Sequence, residues 1–96
     1  MEGFKDKVVV VTGAGRGIGQ AVAEGFAAEG ARVAVLSRNE QSCGKSASAI
    51  NEKFPGSAKA YAVDVADFGV MQEAGKEIVA DFGGVNILVN NAGITR

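Results

Sequence analysis

The chain has 96 residues, 47% of them hydrophobic, and a single proline, a balance that belongs to one small folded domain rather than to a disordered segment. A formal net charge of −1 supplies no surplus of cations to displace counterions from a phosphate backbone, which argues against a nucleic-acid partner. One cysteine and no histidine leave no internal disulfide, no zinc site and no histidine-based triad within these residues.

The first residues, Met1-Glu2-Gly3-Phe4-Lys5-Asp6-Lys7, lack the apolar stretch of a secretory signal and the arginine-rich look of a transit peptide. No apolar run approaches the ~18 residues of a membrane span. With a lone thiol suited to a reducing compartment, the expectation is a cytoplasmic protein without a membrane partner. Residues 7–12 then read as a strand, since the run Val8-Val9-Val10-Val11 suits a position buried on both faces. This strand enters the turn Thr12-Gly13-Ala14-Gly15-Arg16-Gly17-Ile18-Gly19, which leads directly into a helix. Such a helix start directs unpaired N–H groups and the positive end of its dipole at whatever occupies the turn. The G-x-G-x-x-G spacing fails in both registers, because Ile18 stands where one requires glycine and Gln20 where the other does. The pattern that fits is T-G-x-x-x-G-x-G. In it Gly13 turns the chain out of the strand, Gly17 admits a diphosphate close to the backbone, and Gly19 brings the helix close to the sheet. An ordinary glycine-rich turn is the plainer alternative, but the strand before and the helix after are the context a dinucleotide site requires.

The first helix is expected over residues 17–29, with Ile18, Val22 and Phe26 as its apolar stripe, Gly25 beside them and Gly30 as the stop. The second strand covers residues 32–37 and ends in Ser37-Arg38, where sites that prefer NAD carry a carboxylate. A hydroxyl and a guanidinium suit a 2′-phosphate instead, with Arg16 as a second cation nearby, so the expected cofactor is NADP(H). The second helix covers residues 39–53, with Asn39 as N-cap and Pro55-Gly56 beyond its end. Cys43, Ala47, Ile50 and Phe54 share one face of it, which predicts a buried, inert thiol. The third strand covers residues 59–64, with Tyr61 as a packing residue. Asp67 caps a third helix that runs to residue 82, its inward stripe being Met71, Ala74, Ile78 and Phe82. Gly83-Gly84 breaks that helix, and residues 86–90 form the fourth strand, followed by Asn91-Ala92-Gly93.

Strict strand–helix alternation at this spacing predicts an α/β fold: the N-terminal half of a doubly wound Rossmann fold, a parallel four-stranded sheet in the order 3-2-1-4 with helices on both faces. The fourth strand would be an edge, although Ile87-Leu88-Val89 reads as a strand meant for pairing on both sides. The 96 residues are therefore expected to be a cofactor-binding half-domain, marginally stable alone or forming a homo-oligomer through that open edge.

Thr12-Gly13-x-x-x-Gly17-x-Gly19, Asp64-Val65 after the third strand and Asn90-Asn91-Ala92-Gly93 after the fourth stand in the order and spacing of one family. Through them the chain resembles the cofactor half of the short-chain dehydrogenases/reductases. The run from Val85 to Arg96 is similar in wording to the 3-oxoacyl-[acyl-carrier-protein] reductases within that family, and also to acetoacetyl-CoA reductases. The resemblance implies that Gly13, Ala14, Gly15 and Arg16 line the diphosphate and the adenosine ribose, with the Ile18 backbone beside the diphosphate. Arg38 would meet the 2′-phosphate, Asp64 the adenine amino group and Val65 the adenine ring. Asn91, Ala92 and Gly93 would lie along a ribose while Asn90 braces the sheet. For Asp64 a simple turn-capping role is the alternative. Members of the family act through a Ser, an Asn and a Tyr-x-x-x-Lys pair. The only tyrosine here, Tyr61, is followed four residues on by Val65, so no catalytic residue is assigned and the 96 residues alone are expected to be inactive. An acyl-carrier-protein-linked substrate is expected only for a longer form. A truncated, non-catalytic NADP-binding module is the alternative.

Overall fold

The computed structural model describes residues 4–13, 17–64 and 66–90. Its elements are β1 (Val8–Thr12), α1 (Gly17–Ala28), β2 (Arg32–Ser37), α2 (Glu40–Lys53), β3 (Ala58–Ala62), α3 (Phe68–Phe82) and β4 (Ile87–Asn90). The four strands form one sheet in the order β3-β2-β1-β4, and every pair is parallel. The alternation of strands and helices therefore gives the expected Rossmann-like sheet.

Strand alternation divides the core. Val9 pairs with Val33 and Ile87, and Val11 pairs with Val35 and Val89. These valines point to one face, where they meet Ala23 and Ala27 of α1 and Ala47 and Ile50 of α2. Val10, Ala34, Leu36 and Tyr61 point to the other, where Ala74 and Ile78 of α3 cover them. Every residue of β1 is buried, as a strand packed on both faces requires. Fully buried side chains such as Leu36 and Ile50 each contribute about 1.5–3 kcal/mol of hydrophobic stabilisation. Cys43 is buried on α2 as expected, and burial pushes its thiol pKa up.

The apolar stripe of α1 differs from the one expected. Ile18 is 68% exposed, Val22 and Phe26 are half-buried, and the buried residues are Gly19, Ala23 and Ala27. The cause is the closeness of helix and sheet: facing a surface of valines, α1 presents its smallest side chains, and its bulkier ones flank the contact. Phe26 packs at the margin of this core, as expected of it, and edge-on against Phe4, with ring centroids 5.1 Å apart.

β3 also sits earlier than expected, at Ala58–Ala62 rather than residues 59–64. At its start the Asn51 side chain imitates a neighbouring strand, Oδ1 accepting from the Ala58 N–H at 2.8 Å and Nδ2 donating to the Ala58 carbonyl at 2.9 Å. At its end Asp64 turns the chain, its Oδ1 accepting from the Ala66 N–H at 3.0 Å and its carbonyl from the Asp67 N–H at 2.9 Å.

Asn39 and Asp67 cap α2 and α3 as the sequence predicts, each accepting a backbone N–H three residues on at 3.1 Å. Gly83, at φ 89°, closes α3 in the left-handed conformation that glycine adopts at least cost. The end of α3 is held to the sheet by side chains. Tyr61 donates its hydroxyl to Oδ2 of Asp81 at 2.6 Å, and Lys59 reaches the same oxygen at 2.8 Å. Arg32 donates to the Phe82 carbonyl at 3.2 Å and lies over the Phe82 ring, 5.0 Å from its centroid. The Lys59 ammonium, with help from the Tyr61 hydroxyl, holds the Asp81 carboxyl below the ordinary range; burial, and then Asp81, push the Tyr61 pKa up. Among the described residues no helix is long and apolar enough to cross a membrane.

Candidate functional site

Because all four strands are parallel, their carboxyl ends share one rim of the sheet. The order β3-β2-β1-β4 places the step where the chain reverses its direction of travel between β1 and β4. In an open parallel sheet the connections leave that point toward opposite faces and a crevice forms there. β1 delivers the glycine turn to this point. Gly13, at φ 66°, and Gly17, at φ 65°, both occupy the left-handed region, so the turn depends on residues without a side chain. α1 begins at Gly17 with no acidic residue in its first turn, so no side-chain carboxylate within that turn offsets the positive end of its dipole.

The two strands at the crevice are joined by side chains. The Thr12 hydroxyl donates to Oδ1 of Asn90 at 3.1 Å, with the Val89 carbonyl 3.4 Å away. Asn90 thus braces β4 against β1 beside the glycine turn. At the opposite end of the pair Oδ1 of Asn86 accepts from the Val8 N–H at 2.9 Å, and the Asn86 N–H donates to the Val8 carbonyl at 2.9 Å. Sequence reasoning missed this second brace, although asparagines on either side of Ile87-Leu88-Val89 were its signal. It also missed the link between α1 and α2, where the buried Ser46 hydroxyl donates to Oε1 of Gln20 at 3.3 Å, just past the glycine turn.

Farther along the rim lies the β2–α2 turn. Ser37 uses its hydroxyl to shape it, accepting from the Asn39 N–H at 3.1 Å and donating to the Asn39 carbonyl at 3.3 Å. Arg38 stands exposed between those two residues. Asp64 is also exposed on the rim, with one carboxylate oxygen used by its turn. The structure therefore gathers Gly13, Gly17, Ile18, Gly19, Ser37, Arg38, Asp64 and Asn90 on the carboxyl rim, Ile18 exposed and Gly19 buried. Ala14, Gly15, Arg16, Val65, Asn91, Ala92 and Gly93 lie outside the described residues. Among the described residues no group of three or more carboxylate, thiol or imidazole side chains is arranged to hold a metal ion.

The family model for short chain dehydrogenase matches residues 7–96. Over 93 residues, 97% of this chain, the sequence is 43% identical to the 3-oxoacyl-[acyl-carrier-protein] reductase FabG of Escherichia coli, of which it covers 36%. The fold is similar to L-sorbose reductase from Gluconobacter frateurii, solved with NADPH and L-sorbose, at a TM-score of 0.91 and 40% identity over 99% of this chain and 36% of that one. It is also similar to the 3-ketoacyl-(acyl-carrier-protein) reductase from Brucella melitensis, solved with NADH, at a TM-score of 0.81 and 32% identity over 88% of this chain and 33% of that one. The chain thus spans about a third of the length of these proteins.

Proposed function

The chain belongs to the short-chain dehydrogenase/reductase family, and on that premise we propose that it forms the cofactor-holding part of an NADPH-dependent reductase of 3-oxoacyl thioesters. The bound nicotinamide would supply hydride to the substrate's 3-oxo carbon. The chain's own residues supply its seat. Gly13 and Gly17 let the backbone approach a diphosphate, and the first turn of α1 directs N–H groups and dipole at it. By resemblance to the family, Ala14, Gly15, Arg16 and the Ile18 backbone would also meet the diphosphate, and Gly19, buried in the first turn of α1, would let the helix sit close to the sheet. Thr12 and Asn90 fix the distance between the two strands that flank the crevice. Asp64 and Val65 would meet the adenine, and Asn91, Ala92 and Gly93 a ribose.

The observation that carries the choice of NADP(H) is Arg38, exposed at the carboxyl end of β2 on a turn that Ser37 shapes, where an NAD site would place a carboxylate. A guanidinium at that point favours a 2′-phosphate through charge-assisted hydrogen bonds. Titration of the 96-residue chain with NADPH and with NADH, followed by nicotinamide fluorescence, tests the assignment. NADPH is expected to bind roughly tenfold to a hundredfold tighter, the worth of one hydrogen bond to a charged group. Arg38→Ala is expected to bring the two affinities together; equal affinities in the unaltered chain refute the preference.

The thioester substrate is supported by the 43% identity to the Escherichia coli reductase. A specific observation favours a second reading, in which the substrate is a ketose sugar. The L-sorbose reductase is 40% identical, with a TM-score of 0.91. Reduction of acetoacetyl thioesters of acyl carrier protein and of CoA, compared with reduction of L-sorbose by the longest natural form of this chain, separates the two. If none of these is turned over while NADPH still binds, another substrate of the family or a non-catalytic binding module remains.

A further inference from the structure

β3 is an outer strand of the sheet, and its free edge borders a cleft of about 570 Å³ between this strand and α3. The direction of its backbone groups follows from the ladder with β2. The Ser57 carbonyl accepts from the Val33 N–H, and the Val63 N–H donates to the Ser37 carbonyl. Odd-numbered residues of this segment therefore pair with β2, and Ala58, Ala60 and Ala62 direct their N–H and C=O groups outward. At Ala58 both outward groups are already bonded, at 2.8 and 2.9 Å, to the side-chain amide of Asn51. The edge thus holds an amide in the geometry of a neighbouring strand. One step on, Ala60 and Ala62 line the cleft, and no strand among the described residues pairs with their outward N–H and C=O groups.

The charge of the cleft selects what can lie there. Asp67, which caps α3, and Glu73 and Glu77 within it line the cleft, against one cation among the described residues, Lys59, which is already engaged by Asp81 at 2.8 Å. Glu73 and Glu77 are a helical turn apart on one face, both exposed. Glu73 has only a loose partner in Lys76, at 3.7 Å with both side chains largely exposed. Lys59 and Asp81, held by Tyr61, close the end of the cleft near the end of α3.

We propose that this edge docks an extended, lysine- or arginine-bearing peptide segment, which adds to β3 as a further strand and sets its cations against Glu73 and Glu77. Backbone pairing at Ala60 and Ala62 continues what Asn51 does at Ala58, and the carboxylates of α3 choose the charge of the incoming side chains. The surface is separate from the glycine turn, which lies beyond β2 at the end of β1.

The test is fluorescence anisotropy of a short labelled peptide of alternating lysine and valine, titrated with the whole chain. Saturable binding is expected, with none for the glutamate–valine counterpart and none for a version N-methylated at alternate residues, which cannot pair. Ala60→Pro removes an outward N–H and keeps the groups of Lys59 and Tyr61 that pair with β2, a change edge strands tolerate. It is expected to weaken binding about tenfold or more, the value of one to two hydrogen bonds. The double variant Glu73→Lys/Glu77→Lys alters only exposed positions on α3 and is expected to do the same with the circular dichroism unchanged. Equal binding of the N-methylated or the acidic peptide overturns the proposal. So does binding that survives both variants, or a dimer of the chain alone that Ala60→Pro dissolves, which would make a second copy the occupant.

Discussion

Replacing Ala23 by leucine tests which face of α1 meets the sheet, and with it the support of the glycine turn. Ala23 is fully buried in the cluster of Val9, Val11, Val33 and Val35, where α1 lies close to the strands. Leucine adds three carbon atoms to a contact without room for them. Overpacking of this kind costs about 1–3 kcal/mol, and each kcal/mol lowers Tm by roughly 4–8 °C in a domain of this size. Ile18→Ala is the matched control. Ile18 is 68% exposed, so only about a third of a full burial worth about 1.5–3 kcal/mol is lost. The better helix propensity of alanine returns a few tenths of a kcal/mol, leaving a net change of about 0.5 kcal/mol or less. Thermal melts followed by far-UV circular dichroism, without cofactor, read both. Ala23→Leu is expected to lower Tm by several degrees and to weaken NADPH binding as α1 is displaced, while Ile18→Ala leaves Tm nearly unchanged. A larger loss for Ile18→Ala than for Ala23→Leu would refute this packing and restore the stripe of Ile18, Val22 and Phe26.

Thr12→Val keeps the shape of the side chain and removes the hydroxyl that reaches Asn90; a loss of about 0.5–1.5 kcal/mol in urea titrations and a weaker affinity for NADPH are expected. Asp81 has its pKa lowered in the fold by Lys59 and Tyr61, so its stabilising effect is present above the ordinary value of 3.8 and is lost as pH falls through the lowered one. Asp81→Asn is expected to flatten the acid limb of stability against pH, and an unchanged limb would count against the network. Tyr61 shifts upward, so its contribution is intact below 10.0 and is lost on the alkaline side; Tyr61→Phe is expected to remove that alkaline dependence from the same melts. Cys43, buried and with its thiol pKa raised, is expected to ignore a disulfide exchange reagent in the folded chain and to react at once in denaturant.

Much of the fold was legible because its signals are local. A β-branched run marked β1, an apolar stretch marked β2, asparagine and aspartate marked the starts of α2 and α3, and glycine marked the end of α3. Strand–helix alternation then implied a parallel sheet, the doubly wound arrangement gave the order 3-2-1-4, and the strands pair in that order. Two errors have a common origin. In α1 bulk is a poor guide to burial, because a helix against valines buries Gly19, Ala23 and Ala27. β3 ends two residues short of the expected Asp64, its start fixed by Asn51 and its end by the turn that Asp64 makes. Both depend on what stands across the contact, which a single strand or helix does not reveal.

The amino-acid sequence by itself determined the family-defining turn, the alternation of elements and the guanidinium at the end of the second strand, because each is written in neighbouring residues. Only the tertiary structure decided which side chains join the elements. Thr12 and Asn90 stand 78 positions apart, Arg32 and Phe82 stand 50 apart, and Tyr61 and Asp81 stand 20 apart. Hydrogen bonds over such separations exist only after the sheet has brought distant residues together. Local pattern sets where the glycine turn lies, while those long-range contacts hold the strands and helices around it in place.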